Sequence, residues 1–300
     1  MKVPQQVLRM PWLAQKGVSI TIRREDLLHP LISGNKFRKL KYNLAEAKEK
    51  GHTKLLTFGG AYSNHILATA AAGQEHGFAT IGVIRGAELE KKWPENPTLS
   101  KASELGMRLV FVSRAQYRAK DTPHFLKELR RLYGDFYLLP EGGTNALAVK
   151  GCGEILRPKD TQYDVIASAV GTGGTLAGLI GAAGQRQKIL GFSALKGNVH
   201  KDAMAHWVPP GRWEINTAYH FGGYGKINGA LVHFINGFKT ETGIPLDPIY
   251  TGKMLFGLLD MAKNDSFVHG TKILAVHTGG LQGIAGMNAL LKKKNLPLLQ

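Results

Sequence analysis

Short runs of β-branched residues alternate with helix-like spacings of apolar residues over almost the whole chain. One helical pattern begins at Lys36, and Gly51 stands where that pattern ends. Asn35 comes just before the pattern, at a position where asparagine commonly caps the free N–H groups of a helix. The sequence therefore predicts a helix with Asn35 as its N-cap and Lys36 in its first turn.

Several further runs have the length and composition of strands, and helical patterns separate most of them. Strands are predicted at residues 54–58, 79–84, 108–112, 136–139, 165–170, 189–193, 215–220 and 272–277. Helices are predicted at residues 65–76, 97–105, 124–132, 145–155, 174–184, 229–242, 253–263 and 281–293. This alternation predicts an α/β protein in which helices cover both faces of parallel sheets.

Residues 46–145 hold a continuous series of these strand–helix units, which predicts a smaller α/β domain at that position. The segments 1–45 and 146–300 are then expected to form one larger domain around the insertion. A chain of 300 residues is long enough for two lobes with a cleft between them. Ligands of parallel α/β proteins gather at the carboxyl ends of strands, so the functional site is expected there.

The formal net charge of +17 suggests a nucleic-acid partner, but the distribution of that charge argues against one. The basic residues fall in scattered clusters, without interleaved aromatic residues and without zinc-finger spacing. No nucleic-acid partner is predicted, and the charge is interpreted mostly as a surface property. The clusters are at residues 23–24, 36–41, 127–131 and 292–294.

No run approaches the ~18 apolar residues that cross a membrane, and no signal-like apolar core follows the first residues. No membrane partner is predicted, and a cytoplasmic location is expected. The single cysteine, Cys152, excludes an internal disulfide and a cysteine-rich metal site, so no metal is predicted. Cys152 is expected to be a small packing residue in a helix.

Two glycine-rich turns follow predicted strands and open predicted helices. In the first turn, Ser63, Asn64 and His65 arrive at a helix start, where side chains and free N–H groups can face a ligand. An ordinary helix cap is the alternative interpretation of this turn. The second turn, residues 171–175, combines glycines, threonine hydroxyls and a helix N-terminus into a phosphate cradle.

The second turn differs from the nucleotide-binding motifs that it superficially resembles. It lacks the closing Gly-Lys-Ser/Thr of a Walker A loop. Leu176 replaces the third glycine of a dinucleotide fingerprint, and no acidic residue follows between Asp164 and Asp202 to bind a ribose. The pattern therefore favours a lone phosphate over a dinucleotide.

Two other groups of residues are candidates for chemistry. Lys36 and Lys39 lie three residues apart on one helix face, so one amine can hold an aldehyde while the other faces a phosphate. A solvated basic face is the alternative. Tyr250, Thr251 and Thr278 are expected to bring hydroxyl groups into one cleft, although a tyrosine is more often a core residue with a satisfied hydroxyl.

Six motifs in this order resemble the pyridoxal-phosphate enzymes of the 1-aminocyclopropane-1-carboxylate deaminase and D-cysteine desulfhydrase family. The motifs are Gly34-Asn35-Lys36-Phe37-Arg38-Lys39-Leu40, Ser63-Asn64-His65, Pro140-Glu141-Gly142-Gly143-Thr144-Asn145-Ala146, Thr172-Gly173-Gly174-Thr175, Asp247-Pro248-Ile249-Tyr250-Thr251-Gly252-Lys253 and His277-Thr278-Gly279-Gly280. The resemblance covers nearly the full chain. It implies the tryptophan-synthase-β-like fold (fold type II), with pyridoxal 5′-phosphate between two α/β lobes, and a homodimer.

The resemblance also implies roles for individual residues. Lys36 matches the Schiff-base lysine of the family, and Lys39 matches its phosphate-contacting lysine. Ser63 matches a serine used in proton transfer or attack, and Tyr250 matches a catalytic tyrosine that faces the substrate. The other matches are Thr172, Gly173, Gly174 and Thr175 with the phosphate loop, Asn64 with the asparagine near the cofactor's phenolic oxygen, Thr251, Thr278 and Gly279 with the cofactor site, and His65 and Tyr224 with the substrate site.

Three positions distinguish the two activities of the family. Deaminases carry Gln, Glu and Leu where this chain has His65, Thr251 and Thr278, and all three match the desulfhydrase pattern. A Glu against the pyridine nitrogen makes the cofactor a strong electron sink, whereas threonines leave the nitrogen nearly neutral. Loss of a thiolate needs a weaker sink than opening of a cyclopropane ring does. The resemblance therefore implies conversion of D-cysteine to pyruvate, ammonia and sulfide.

Other functions stay open at this point. One alternative is deamination of 1-aminocyclopropane-1-carboxylate or β-elimination from another D-amino acid. Another is a cofactor- or nucleotide-binding protein without catalysis. Tyr62 stands where a glutamine commonly precedes Ser-Asn in the family, so the site for the substrate carboxylate is expected to be altered.

Overall fold

The computed structural model describes residues 3–197 and 204–300, and the strands of this part form two sheets. The strands are β1 (Gln5–Val7), β2 (Ser19–Arg23), β3 (Lys54–Gly59), β4 (Ala79–Arg85), β5 (Met107–Val112), β6 (Tyr137–Leu139), β7 (Val165–Val170), β8 (Lys188–Ser193), β9 (Trp213–Asn216) and β10 (Lys272–Val276). The α-helices of the described part are α1 (Pro11–Gln15), α2 (Asn35–Glu49), α3 (Asn64–His76), α4 (Pro97–Glu104), α5 (Arg114–Arg118), α6 (Pro123–Tyr133), α7 (Ala146–Gly153), α8 (Gly174–Ala182), α9 (Gly229–Thr242), α10 (Thr251–Lys263) and α11 (Gly283–Lys293).

The two sheets differ in size and in the part of the chain that supplies them. The larger sheet has the order β1-β2-β10-β7-β8-β9, in which β1 is antiparallel to β2 and all other pairs are parallel. The smaller sheet has the order β5-β4-β3-β6 and is entirely parallel. These sheets confirm the predicted α/β fold class. The domain limits at 45/46 and 145/146 stay a prediction.

Successive residues of the central strands pack on opposite faces, as expected for sheets that are covered on both sides. In β10, Ile273 packs with the core beneath α9 and α10, whereas Leu274 packs with the core beside α7 and α8. In β3, Leu55 and Leu56 likewise belong to different clusters. The near-continuous apolar strands read from the sequence therefore mark burial on both faces.

Several element boundaries differ from those predicted. The strands β1 and β2 and the short helices α1 and α5 were not predicted. The strand predicted at 215–220 lies earlier, at Trp213–Asn216. Its end has a local cause, because the side chain of Asn216 accepts a hydrogen bond of 2.9 Å from the N–H of Ala218 and turns the backbone.

The interpretation of the positive charge as mostly a surface property needs correction in the first basic clusters. Arg23 is fully buried, and its guanidinium lies 2.7 Å from Asp160. Arg38 is also buried and donates to the carboxylate of Glu25 at 2.9 Å. Paired carboxylates make this burial possible, since an unpaired interior charge is strongly unfavourable. Part of the basic charge therefore stabilises the interior around α2 and β2.

Among the described residues, no helix is long and apolar enough to cross a membrane. Cys152 is buried in α7, and its thiol lies 3.8 Å from the hydroxyl of Thr175 in α8. This contact agrees with the packing role expected for Cys152 and fixes two helices beside the candidate site.

Candidate active site

A cavity of about 600 Å³ lies where strands of both sheets end. Its wall includes residues that follow or end β3, β4, β6, β7 and β10, here represented by Gly60, Arg85, Glu141, Gly171 and Thr278. This position matches the general rule for parallel α/β proteins. The volume falls within the range of ~300–1,000 Å³ that is typical of ligand sites.

Most of the residues predicted for the site line this one cavity. They are Lys36, Lys39, Ser63, Asn64, His65, Thr172, Gly173, Thr175, Tyr224, Tyr250, Thr278 and Gly279. Gly174 and Thr251 are not part of the wall: Gly174 is buried as the first residue of α8, and Thr251 is buried as the first residue of α10.

The first turn of α2 carries both candidate lysines, but its cap is not the residue predicted. Gly34 is the N-cap, with φ of 61°, and a Cβ there would lie 1.9 Å from the carbonyl oxygen of Thr278. Only glycine fits such a close approach in this conformation. The side chain of Asn35 instead donates to Thr175 Oγ1 at 2.8 Å. The helix start is thereby joined to both the last strand and the phosphate loop.

The amines of Lys36 and Lys39 converge on a single carbonyl oxygen, that of Gly142, at 3.0 Å each. Lys39 also donates to the hydroxyls of Thr144 at 2.8 Å and Thr172 at 3.3 Å. Those two hydroxyls are 2.5 Å apart. Lys39 is therefore held inside a nest of hydroxyl groups, whereas Lys36 makes only its contact with Gly142 among the described residues.

Burial changes the acid–base behaviour of both amines. It lowers the pKa of Lys36 well below the ordinary value, and the neighbouring charge of Lys39 lowers it further. Burial also lowers the pKa of Lys39, to about 8. The lowered pKa favours the neutral form of Lys36, which an amine needs to act as a nucleophile or a base.

The loop before α8 has the features of an anion site. Gly173 is the N-cap of this nine-residue helix, with φ of 86°, and the helix N-terminus faces the cavity beside Lys39 and Thr172. Helix N-termini favour negative charge because their first N–H groups have no partner within the helix. A phosphate placed here would meet these N–H groups, two hydroxyls and an ammonium group.

The turn before α3 contributes the next part of the wall. Ser63 is the N-cap of α3, but its hydroxyl accepts only a long bond of 3.4 Å from the N–H of Ile66. Asn64 Oδ1 is buried and has no hydrogen-bond partner among the described residues. Burial, and then the charges of Lys36 and Lys39, lower the pKa of His65 well below its ordinary value. This wall is neutral at neutral pH, with polar atoms available to a ligand.

Two tyrosines form the opposite part of the wall. The rings of Tyr224 and Tyr250 meet edge to face with centroids 6.1 Å apart, and their hydroxyls interact. Burial raises the pKa of Tyr250 well above its ordinary value, and the charges of Tyr224 and Asp247 act in the same direction. Tyr250 therefore keeps its proton at neutral pH and is a donor rather than a base.

Thr251 makes different contacts from those that the resemblance implies. Its hydroxyl donates to Asp247 Oδ2 at 2.6 Å and accepts from the backbone N–H of Asp247 at 3.0 Å. The other oxygen of Asp247 accepts from the N–H of Tyr250 at 2.8 Å. Thr251 therefore orders the turn that presents Tyr250, and Thr278 is the threonine whose side chain shares the cavity.

Three residues at the site were not predicted as site residues: Gly142, Thr144 and Arg85. The sequence held a signal for the first two. Gly142 and Thr144 lie in a predicted motif, and the pair of glycines before Thr144 marks a turn in which Gly142 has φ of 68°. That turn brings its carbonyl and the Thr144 hydroxyl to the lysines. Arg85, at the end of β4, had no comparable signal.

The wall can be tested against pyridoxal phosphate on these observations alone. The nest of Lys39, Thr144 and Thr172 suits a phosphate, and the neutral amine of Lys36 suits an aldehyde. The unsatisfied amide oxygen of Asn64 marks a polar side chain that can turn its amide to a phenolic oxygen. The residues present therefore fit this cofactor.

Comparison with known proteins supports a site for pyridoxal phosphate. The family model described as "Pyridoxal-phosphate dependent enzyme" matches residues 3–279. A Pyrococcus horikoshii protein named "Putative 1-aminocyclopropane-1-carboxylate deaminase" is 35% identical, over 89% of this chain and 86% of its own length. The Arabidopsis thaliana protein named "Bifunctional D-cysteine desulfhydrase/1-aminocyclopropane-1-carboxylate deaminase, mitochondrial" is 30% identical, over 89% of this chain and 74% of its own length.

Solved structures agree on the fold. The crystal structure of an ACC deaminase homologue aligns with a TM-score of 0.81 and 29% identity, over 97% of this chain and 94% of that one. An O-acetylserine dependent cystathionine β-synthase from Helicobacter pylori aligns with a TM-score of 0.67 at 17% identity, over 95% of each chain, which shows the fold alone. The fold is the tryptophan-synthase-β-like fold type II. The chain belongs to the pyridoxal-phosphate-dependent enzymes, among the relatives of 1-aminocyclopropane-1-carboxylate deaminase and D-cysteine desulfhydrase.

Proposed function

We propose that this enzyme catalyses β-elimination from D-cysteine. The overall reaction consumes D-cysteine and water and yields pyruvate, ammonia and hydrogen sulfide. The observation that carries the proposal is the meeting, in one cavity, of Lys36 with its lowered pKa, Ser63, and the tyrosines Tyr224 and Tyr250. Bound pyridoxal phosphate supplies the electron withdrawal that weakens the bond between Cα and its hydrogen.

Different residues of the chain carry out the separate proton transfers of this reaction. The low pKa of Lys36 allows its amine to hold the cofactor covalently and, once displaced by the substrate, to accept the α-proton. Ser63 is the second candidate for this transfer, because its hydroxyl makes only a long capping bond. Tyr250 keeps its proton, so it is suited to donate to the departing sulfur. These roles are part of the proposal.

The choice of D-cysteine over the cyclopropane substrate depends on the residues around the pyridine nitrogen. The family resemblance implies a glutamate there in deaminases and threonines in desulfhydrases, and this chain has Thr251 and Thr278. Since Thr251 is engaged by Asp247, Thr278 is the neutral hydroxyl that supports a weak electron sink. A neutral partner does not hold the nitrogen protonated, which favours the loss of a good leaving group.

Ring-opening deamination of 1-aminocyclopropane-1-carboxylate is the second candidate. It is favoured by the name of the Pyrococcus relative, and the tyrosine pair and Ser63 are compatible with it. The two candidates predict different products, pyruvate from D-cysteine and 2-oxobutanoate from the cyclopropane substrate.

The deciding experiment measures release of these two oxo acids by the yellow holoenzyme, beside a panel of other D- and L-amino acids. We expect kcat/KM to be far greater for D-cysteine. Efficient ring opening would overturn the D-cysteine assignment and leave the family unaffected. A yellow, borohydride-reducible protein that releases no oxo acid from any of these compounds would indicate cofactor binding without catalysis.

We further propose that the enzyme works as a homodimer in the cytoplasm. The family resemblance supports the dimer, and the lone, buried Cys152 is compatible with a reducing compartment. Light scattering of the purified holoenzyme would give the mass directly, and a value of one chain would contradict the dimer.

A further inference from the structure

Arg85 is one of the cavity residues to which the proposed reaction assigns no role. It is the last residue of β4, it is exposed, and it lines the cavity. A Cβ placed on Gly60, in the turn that leads to Ser63, would lie 3.5 Å from Arg85 Nη2. The guanidinium carbon lies 5.6 Å from the ring centroid of Tyr117. These distances place the guanidinium at the cavity wall, beside the turn that leads to Ser63.

The charge of Arg85 is not neutralised by the protein. The structure gives its guanidinium no ion pair and no hydrogen bond among the described residues. Glu141 is the only carboxylate among the described residues of the cavity wall. The carboxylate of Glu141 accepts a hydrogen bond of 2.8 Å from Tyr117 Oη and pairs with Lys120 at 3.4 Å. Its partners are therefore these two residues and not Arg85. Arg85 therefore remains free for an anion that enters the cavity.

The α-carboxylate of an amino acid does not require Arg85. The N-terminus of the thirteen-residue helix α3 opens on the cavity at Ser63, Asn64 and His65. The first N–H groups of a helix bind a carboxylate without any cationic side chain. Arg85 also acts electrostatically on Tyr224, whose ring meets that of Tyr250, the residue proposed to donate to the leaving group. A second acidic group would find its partner there.

We propose that Arg85 binds an anionic group on the side chain of the substrate. This inference depends on the proposed function, since it names the class within it: D-amino acids whose β-substituent carries a negative charge, such as a carboxylate, sulfate or phosphate. The planar guanidinium matches these groups with two parallel hydrogen bonds. D-Cysteine lacks such a group, so its turnover in the proposed reaction does not involve Arg85.

The test uses binding rather than turnover. Succinate and butyrate both lack an amine, and both offer a carboxylate to the N-terminus of α3. Succinate has a second carboxylate at its far end, whereas the far end of butyrate is uncharged. Calorimetry of each anion with the holoenzyme compares wild type with Arg85→Gln. The control is Arg131→Gln, an exposed arginine of α6 outside the cavity wall.

We expect wild type to bind succinate about tenfold more tightly than butyrate, because a charged hydrogen bond contributes about that much to the binding free energy. Arg85→Gln should remove this difference without changing butyrate binding, and Arg131→Gln should change neither. Equal weakening of both anions by Arg85→Gln would show that Arg85 binds the α-carboxylate. That result, or a wild type that does not prefer succinate, would overturn the inference.

Turnover provides the second arm. D-Serine O-sulfate and β-chloro-D-alanine both have good leaving groups, but only the first is anionic at the β-substituent. The kcat/KM for D-serine O-sulfate divided by that for β-chloro-D-alanine should fall about tenfold in Arg85→Gln. An unchanged ratio would contradict the inference. If neither compound nor D-cysteine is turned over, the proposed reaction fails, while the calorimetry still decides the role of Arg85.

Discussion

The two ends of the cavity are built in different ways. At the phosphate end, Lys39 is buried and its amine donates to three oxygens within 3.3 Å. At the tyrosine end, Tyr62 and Tyr224 are 44% and 45% exposed, and Arg85 has no ion partner in the described part of the chain. The hydrogen bonds of one end are formed without a ligand, whereas the other end presents exposed aromatic and charged side chains to solvent.

This difference separates two functions that the same fold must serve. A preordered nest loses little entropy when it binds a group that never changes, and the phosphate of the cofactor is such a group. An exposed wall can differ between relatives without disturbing the fold, because surface changes cost little stability. We infer that the phosphate end fixes the chemistry and that the tyrosine end fixes the substrate.

The amine of Lys36 shares the Gly142 carbonyl with Lys39 at the phosphate end, and removal of Lys36 should have the largest effect. Lys36→Ala should abolish turnover and the adduct that borohydride fixes, because Lys39 is held by Thr144 and Thr172 and cannot replace it. Mass spectrometry after reduction measures the adduct. Lys39→Ala is the matched control, which should lose cofactor affinity but keep the adduct at high cofactor concentration. A reducible adduct in Lys36→Ala would show that another lysine holds the aldehyde.

Ser63→Ala should have the next largest effect, a fall in turnover of ~10²–10⁴ if the hydroxyl transfers a proton. Loss of a helix cap costs only about 1 kcal/mol, and the capping bond of Ser63 is long at 3.4 Å. Thermal unfolding and steady-state rates at full cofactor occupancy separate the two roles. Unchanged rates with a small loss of stability would return Ser63 to a capping role.

Sequence motifs located the phosphate end well because its chemistry depends on local order. The residues that define it, Lys36, Lys39 and Thr172, lie beside glycines or at helix starts, and such patterns are readable from spacing alone. The resemblance to a family added their roles. The tyrosine end was harder to read. Arg85 is an ordinary residue at a strand end until the fold brings the turn at Gly60 beside it.

The buried arginine of β2 illustrates the same limit for the fold. Arg23 and Arg24 looked like a surface cluster, so the strand that contains Arg23 was missed. The carboxylate that permits its burial, Asp160, is distant in the sequence. Thr251 illustrates the limit for the site, since its contact with Asp247 depends on the shape of a turn. Long-range partners decide these cases, and spacing along the chain does not reveal them.

The phosphate end should also show a pH dependence with a definite sign. The pKa of Lys39 is about 8 because of burial, and a bound phosphate dianion must raise it. Below pH 8 the amine is already charged, so binding needs no proton. Above pH 8 binding must draw a proton from solution, and affinity should fall by up to about tenfold for each pH unit.

Inorganic phosphate is the probe for this effect, because it cannot react with Lys36. Calorimetry at pH 9, where the probe is already a dianion, in two buffers of different ionisation enthalpy measures the proton uptake by the protein. Lys39→Met should bind phosphate weakly and lose the uptake. A pH-independent affinity in wild type would mean that Lys39 does not face the phosphate.

The smallest predicted effect concerns the tyrosine end. The amine of Lys253 donates to the carbonyl oxygens of His220 and Gly223, at 2.9 and 2.8 Å, and so holds the loop that presents Tyr224. Lys253→Met removes both bonds and should lower kcat/KM by a few-fold to about tenfold, because it weakens the support of Tyr224 and leaves Tyr224 itself in place. Cofactor affinity should stay unchanged, because the phosphate end does not use this lysine.

Two measurements separate positioning from general damage. If Lys253 acts through Tyr224, Tyr224→Phe should slow wild type but have little further effect in Lys253→Met. Burial lowers the pKa of Lys253 to about 8, below its unfolded value of 10.5, so the unfolded chain binds the extra proton between those values. The stability of wild type relative to Lys253→Met should therefore rise as the pH increases from 8 towards 10. Additive effects of the two substitutions on kcat/KM would show that Lys253 does not position Tyr224.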